Sequence, residues 1–348
     1  MARLGGDEFA MIVAGPRALK VDQLATELVN AIRAPFLIGG ENMQTTISLG
    51  LANIPDHAKN ADELLKNCDL ALYEAKRNGR NQGVVFHPEL RKQADDRNQI
   101  KLDLSAALIN GDFEVYYQPI VSLSDDQTVA FEALMRWHHP TRGLLTPDNF
   151  ITYAEDNRQI VDIGEWVIRE AVAEAANWDK NVKLAINLSP TQLLNSNLVN
   201  TIVHSLASSG LSPERLQLEI TENVFLEESE AAIKVIENLR SLGLGFALDD
   251  FGTGFSSLNY LRQYRFDTVK IDQSFVRNIE HSDESRSIIK SVINLANDLG
   301  MKTTAEGVEN ETQKKFLSGL GCNQAQGYFY GVAQPIDAKS DQSRYAIR

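Results

Sequence analysis

In this 348-residue chain, acidic and amide residues stand at the ends of one apolar run after another: Glu132, Asn187, Glu219, the adjacent pair Asp249-Asp250, Glu306 and Gln326. Several carboxylates gathered at the ends of buried strands repel one another unless they are protonated or held by cations, because buried unpaired charge is costly. All-oxygen donors select Mg2+ or Mn2+ over zinc. His138 and His139 are adjacent and cannot face one site from a strand, so both are read as structural. Two divalent ions about 3.5–4 Å apart, bridged by one carboxylate, are the usual device for cleaving a phosphodiester. Asp249-Asp250 suits the bridging position. Lys270, ending the next apolar run, would orient the attacking water or stabilise charge developing on phosphorus. Taken singly, each has an ordinary reading: a solvated glutamate, a surface lysine, an asparagine at a loop entry. The set is what carries the chemistry.

Residues so far apart in sequence meet only if a fold gathers strand ends. Strand-like runs recur at 113–121, 128–136, 183–188, 215–220, 245–249, 268–272, 301–306 and 322–329, mostly separated by amphipathic helical stretches. This is the pattern and size of a TIM-like (β/α)8 barrel, an α/β fold whose strand ends converge on one face. Only Ser122–Gln127 lie between the first two runs, too few for a crossover helix, so these strands are expected to form an antiparallel hairpin. Upstream, 7–14 and 43–52 read as strands, while 20–34 and 61–78 read as helices, a short α/β unit. A helical period through Ile100, Leu104, Ala107 and Leu108 predicts a connecting helix. The expected division is 1–90 and 91–348.

A hydrophobic fraction of 43% supports a large core, and a net charge of −13 excludes a nucleic-acid polymer as partner. A small anionic substrate remains compatible with that charge if metals neutralise it. Cys68 and Cys322 are the two cysteines and have no C-x-x-C spacing, which points to a reducing, cytoplasmic setting without a disulfide scaffold. No apolar run reaches the roughly 20 residues of a membrane helix, so no membrane segment is expected. Gly252-Thr253-Gly254-Phe255-Ser256-Ser257 resembles a phosphate cradle but lacks the Gly-Lys-Ser/Thr ending of a P-loop. It reads as a loop that positions the Asp pair.

Eight ordered motifs carry a resemblance. They are Tyr117-Gln118-Pro119, Glu132-Ala133-Leu134-x-Arg136-Trp137, Asn187-Leu188-Ser189-Pro190, Glu219-Ile220-Thr221-Glu222, Asp249-Asp250-Phe251-Gly252-Thr253-Gly254, Lys270-Ile271-Asp272, Ala305-Glu306-Gly307-Val308-Glu309 and Gln326-Gly327-Tyr328. Over about 97–335 the chain resembles the EAL-domain cyclic di-GMP phosphodiesterases, which open cyclic di-GMP to linear pGpG. The resemblance implies that Glu132, Asn187, Glu219 and Asp249 hold a first metal, and that Asp249, Asp250 and Glu306 help hold a second. Lys270, Glu306 and Glu132 would form the catalytic set. Gln118, Leu134, Arg136, Gln326, Asp272 and Glu309 would contact substrate, with Arg136 meeting a phosphate. Glu222 would anchor the loop after Asp250, and a homodimer through that loop and the following helix is expected. Where the family commonly reaches a Pro soon after Gln-Gly-Tyr, this chain reaches it at Pro335, displaced by two residues.

Leu4-Gly5-Gly6-Asp7-Glu8-Phe9, with Ser48-Leu49-Gly50 and Ala75–Asn81, resembles the C-terminal portion of a GGDEF diguanylate cyclase domain. Much of that family's GTP site lies before the Gly-Gly hairpin, so residues 1–90 read as an inactive remnant. Three alternatives stand beside the phosphodiesterase. A cyclic di-GMP receptor without catalysis would typically lack metal ligands, and every ligand position here carries one. A cyclase rests on Gly5–Phe9 alone. A glycosidase would use paired carboxylates but leaves Asn187, Lys270 and the adjacent aspartates unexplained.

Overall fold

The computed structural model describes residues 1–16, 20–222, 224, 230–252 and 264–336. The chain divides into two compact units, Met1–Leu102 and Asp103–Arg348.

The first unit has short strands in three separate two-stranded sheets. β1 (Ala2–Gly5) is antiparallel to β2 (Glu8–Ala10), β3 (Phe36–Ile38) is antiparallel to β4 (Glu41–Met43), and β5 (Leu49–Leu51) is parallel to β6 (Gly83–Val85). Helices α1 (Val21–Arg33) and α2 (Ala61–Arg77) fall where the helical period predicts them. Asn60 caps α2, its side chain accepting from Glu63 N. The buried Ala71 of α2 then packs with Phe86 and Leu90 into a small core. The strand expected over 7–14 shrinks to β2, and Met11 and Ile12 lie exposed instead. The run expected over 43–52 yields β5 and only the last residue of β4. A run of strand-forming residues becomes a strand only where a neighbour completes its ladder of hydrogen bonds. β3 and β6 were not anticipated; each is 3 residues long, below the length at which alternation is readable.

α3 (Pro88–Asn110) leads into the second unit. There β7 (Phe113–Ser122), β8 (Thr128–His139), β9 (Gly143–Leu145), β10 (Lys183–Asn187), β11 (Leu216–Thr221), β12 (Gly245–Phe251), β13 (Thr268–Ile271), β14 (Lys302–Ala305) and β15 (Gln324–Gln326) follow in chain order. They hydrogen-bond in the order β10-β11-β12-β13-β14-β15-β7-β8-β9, and a further β8–β10 pairing closes the sheet into an eight-stranded barrel with β9 as a hairpin extension of β8. β7 is antiparallel to both of its neighbours, and the other barrel pairs are parallel. The hairpin therefore follows from the short 122–127 connection, as expected.

Helices cover the parallel strands, which are buried on both faces and so read as continuous apolar runs. Phe246, Ala247 and Leu248 of β12 are buried in this way. The helix Gln159–Ala175 turns Ile160, Ile163, Val167, Ile168, Ala171 and Val172 inward at 3.6-residue spacing. Trp137 packs on Phe113 and Phe150, with ring centroids 5.8 and 5.4 Å away. The last strand is shorter than the expected 322–329. The chain turns at Gly327, and Gln334 returns to bridge Tyr117, with Tyr117 N donating to Gln334 O at 2.8 Å. Most of the expected loop and dimer segment after Asp250 lies outside the described residues. No helix among the described residues is long and apolar enough to cross a membrane.

Candidate active site

The barrel brings the ligand-capable residues to one end. Asn187 closes β10 and stands opposite Glu219 of β11, while Asp249 of β12 stands opposite Thr221. Lys270 pairs with Thr304, so Glu306 begins one step past β14, with its N–H donating to Ile271 O at 3.0 Å. Glu132 is mid-strand in β8, which continues past it to His139, yet its opposite number on the adjacent strand is Ala185, close to the end of β10. Across the hairpin Gln118 faces Glu132.

Among the described residues a single ammonium stands among the acids. Lys270 Nζ lies 2.5 Å from Glu219, 2.7 Å from Glu306, 3.3 Å from Asp249 and 3.8 Å from Glu132. Lys270 and Glu219 are each about 1% exposed. Glu132 is gripped from both sides: Asn187 Nδ2 and Gln326 Nε2 each donate to it at 2.5 Å, and Gln326 Nε2 also reaches Gln118 Oε1 at 3.1 Å. The electrostatics follow from dryness. Burial lifts the Glu219 carboxyl well above its usual range, and the neighbouring Glu132 and Asp249 add to this against the pull of Lys270. Burial likewise raises Glu306 to about 8, with Lys270 opposing and Asp249 and Glu132 adding. Burial disfavours the Lys270 ammonium, but the four carboxylates outweigh that cost and hold it charged.

Asp249 and Asp250 would point to opposite faces in a regular strand. Asp250 instead has φ of 54°, in the left-handed region that aspartate tolerates, and the β12–β13 register slips between Leu248 and Phe251. Alternation is broken at that residue. As a result, carboxylate oxygens of Asp249, Asp250 and Glu306 lie within 4.8 Å of one another, close enough to share one cation. Partial burial, followed by the nearby Asp249, pushes the Asp250 carboxyl upward.

This donor set fits a hard divalent ion, since every charged ligand is oxygen. Gln326 Oε1 is buried with no hydrogen-bond partner among the described residues, an acceptor suited to an ion's hydration water.

The remaining predicted residues occupy the surroundings. Leu134 and Arg136 share the face of β8 that carries Glu132, and Arg136 stands opposite Glu114. Glu222 Oε1 accepts from Gly252 N at 3.0 Å and so ties down the residue that follows β12. Asp272 caps the short helix Gln273–Arg277, accepting from Ser274 N at 3.0 Å, and Glu309 pairs with Arg277 at 3.3 Å. Both carboxylates therefore have protein partners. Of the adjacent histidines, His138 pairs with Glu114 at 2.6 Å and His139 is buried against Asp103 at 3.0 Å. Gln118 Nε2 donates to Gly331 O at 3.1 Å, which fixes the loop before the displaced Pro335. Tyr116, which none of the sequence motifs includes, shares the face of Gln118. Period-2 alternation from Gln118 was the available signal.

The family model described as EAL domain matches residues 101–335, and that described as diguanylate cyclase, GGDEF domain, matches residues 1–82. An uncharacterized signaling protein of Caulobacter vibrioides is 41% identical over 97% of this chain and 42% of its own length. The bifunctional diguanylate cyclase/cyclic di-GMP phosphodiesterase MucR of Pseudomonas aeruginosa is 36% identical over 97% of this chain and 50% of its own. The chain thus spans about half the length of these relatives or less. The solved structure of the PaMucR phosphodiesterase in complex with c-di-GMP matches 68% of this chain and 98% of its own, at 37% identity and a TM-score of 0.66.

Proposed function

Because the chain belongs to the EAL-domain family, we propose that its barrel hydrolyses cyclic di-GMP to linear pGpG with two divalent cations, Mg2+ or Mn2+. The observation that carries this reading is the convergence of Glu132, Glu219, Asp249 and Glu306 on Lys270, with an oxygen of Asp250 brought within 4.8 Å of oxygens of Asp249 and Glu306. Asn187 would join Glu132, Glu219 and Asp249 around one ion, and Asp249, Asp250 and Glu306 would hold the other. When bound, such ions activate a water and neutralise phosphate charge.

The chain's own groups do the rest. The Lys270 ammonium holds its N–H donors at the centre of the acids, where they orient the water and stabilise charge gathering on the phosphoryl oxygens. As the water oxygen adds to phosphorus, the bond from phosphorus to the 3′ oxygen breaks, leaving a 3′ hydroxyl and a 5′ phosphate. Gln118 and Leu134 line the nucleotide side, and Arg136 meets a phosphate. Asp272, capping the helix Gln273–Arg277, and Glu309, beside Arg277, complete the substrate set, and Gln326 steadies Glu132. Glu222 keeps Gly252, and through it the Asp pair, in register. We read this activity as cytoplasmic and the chain as a homodimer through the segment after Asp250.

The test is turnover. Wild-type protein with Mg2+ or Mn2+ is expected to convert cyclic di-GMP to pGpG, and Glu132→Ala to abolish the conversion. Intact cyclic di-GMP after long incubation, alongside calorimetric binding, would instead establish a receptor.

A further inference from the structure

Arg136 is only partly exposed, yet among the described residues it has no carboxylate at ion-pair distance. Its direct cross-strand neighbour Glu114 is the obvious counter-ion, but Glu114 is turned to His138 at 2.6 Å. One guanidinium N–H donates to Met135 O at 2.9 Å. An aromatic ring takes the place of the counter-ion: Arg136 Cζ lies 5.3 Å from the centroid of Tyr116. The strand register explains this contact. Tyr116 pairs with Leu134 and Glu114 with Arg136, so Tyr116 is the diagonal neighbour of Arg136 on the face that also bears Gln118 and Glu132. A carboxylate there would occupy the planar fork of donors and cancel its charge. A ring holds the cation through its quadrupole and leaves the in-plane N–H groups other than the one on Met135 O uncommitted.

We propose that Tyr116 is a positioning residue of the substrate site, its ring holding the Arg136 guanidinium in place with its remaining N–H groups directed to a phosphate oxygen of the dinucleotide. The phosphate part of this inference rests on the cyclic di-GMP reading above; the pairing of ring and guanidinium does not.

The experiment compares Tyr116→Phe, which keeps the ring, with Tyr116→Leu, which keeps apolar bulk, alone and combined with Arg136→Ala. The first readout needs no substrate. In a 15N-arginine spectrum, the side-chain N–H resonance lost in Arg136→Ala should be displaced by ring current in wild type and Tyr116→Phe, and should relax in Tyr116→Leu. The second readout is kinetic. Tyr116→Leu should raise KM roughly 3- to 10-fold, the range a partly exposed cation–π contact supplies, with kcat within about twofold, while Tyr116→Phe stays close to wild type. In the Arg136→Ala background the leucine substitution should change nothing further. An undisplaced wild-type resonance, a displacement that survives Tyr116→Leu, or fully additive effects on KM overturns the proposal. If wild type fails to turn over cyclic di-GMP, the substrate reading falls, and the resonance alone decides the pairing.

Discussion

Lys270 is the one cation among the described residues inside a ring of four carboxylates, and the consequences of removing it can be ordered by size. In chelator, Lys270→Met leaves buried like charges uncompensated and should cost about 3–5 kcal/mol of unfolding free energy, read by denaturant titration. In Mg2+, where the protein regains a counter-charge, the same variant should fold but lose kcat roughly 100- to 1000-fold. Glu306 supplies the pH signature. Its folded pKa of about 8 exceeds the ordinary value of 4.5, so the folded protein binds the proton more tightly than the unfolded chain. Stability from this group is therefore complete below about 4.5 and is lost as pH rises toward 8. Melting of the metal-free protein across that window should fall more steeply in wild type than in Glu306→Gln, which cannot ionise. Equal slopes would show that Glu306 is not the group responsible.

At the scale of elements, the closest backbone approach beside the site belongs to Gly327. A Cβ there would lie 2.2 Å from Val308 O, and Val308 N donates to Gln326 O at 3.0 Å. Gly327→Ala must push apart the two segments that carry Glu306 and Gln326. We expect it to destabilise the barrel by about 2–4 kcal/mol and to weaken Mg2+ binding measured by calorimetry; an unchanged melting curve would refute this. The same region shows what sequence reveals. β11 through β14 were legible because parallel strands buried on both faces are written as apolar runs closed by a polar residue. Gln326 was legible as a site residue, yet the strand after it was drawn too long, since Tyr328–Tyr330 is apolar enough to mimic one. The left-handed turn at Asp250 was invisible: adjacent aspartates suggest a shared ion, but alternation predicts opposite faces, and only the backbone torsion reconciles them. Tyr116 was hidden by the neighbouring Tyr117, which faces the other way. In the first unit, strands of 3 or 4 residues carry too little pattern to read.

For the whole molecule, the two units differ in what they can respond to. The predicted ligands all belong to Asp103–Arg348, while Met1–Leu102 has its own small core around Ala71, Phe86 and Leu90. Calorimetric unfolding should then resolve two transitions, and Mg2+ should raise one of them by about 2.7 kcal/mol at 100 times its dissociation constant while leaving the other in place. The convergence of Glu132, Glu219, Asp249, Asp250 and Glu306 on one lysine also dictates an order of events. A chain of net charge −13 with its acids gathered at the reaction centre repels a doubly anionic dinucleotide until cations arrive. Addition should be sequential, cation before nucleotide. With the cation bound first and in equilibrium, lowering Mg2+ should raise the apparent KM for cyclic di-GMP while velocity at saturating cyclic di-GMP is unchanged, so the magnesium concentration would set how much messenger the site needs.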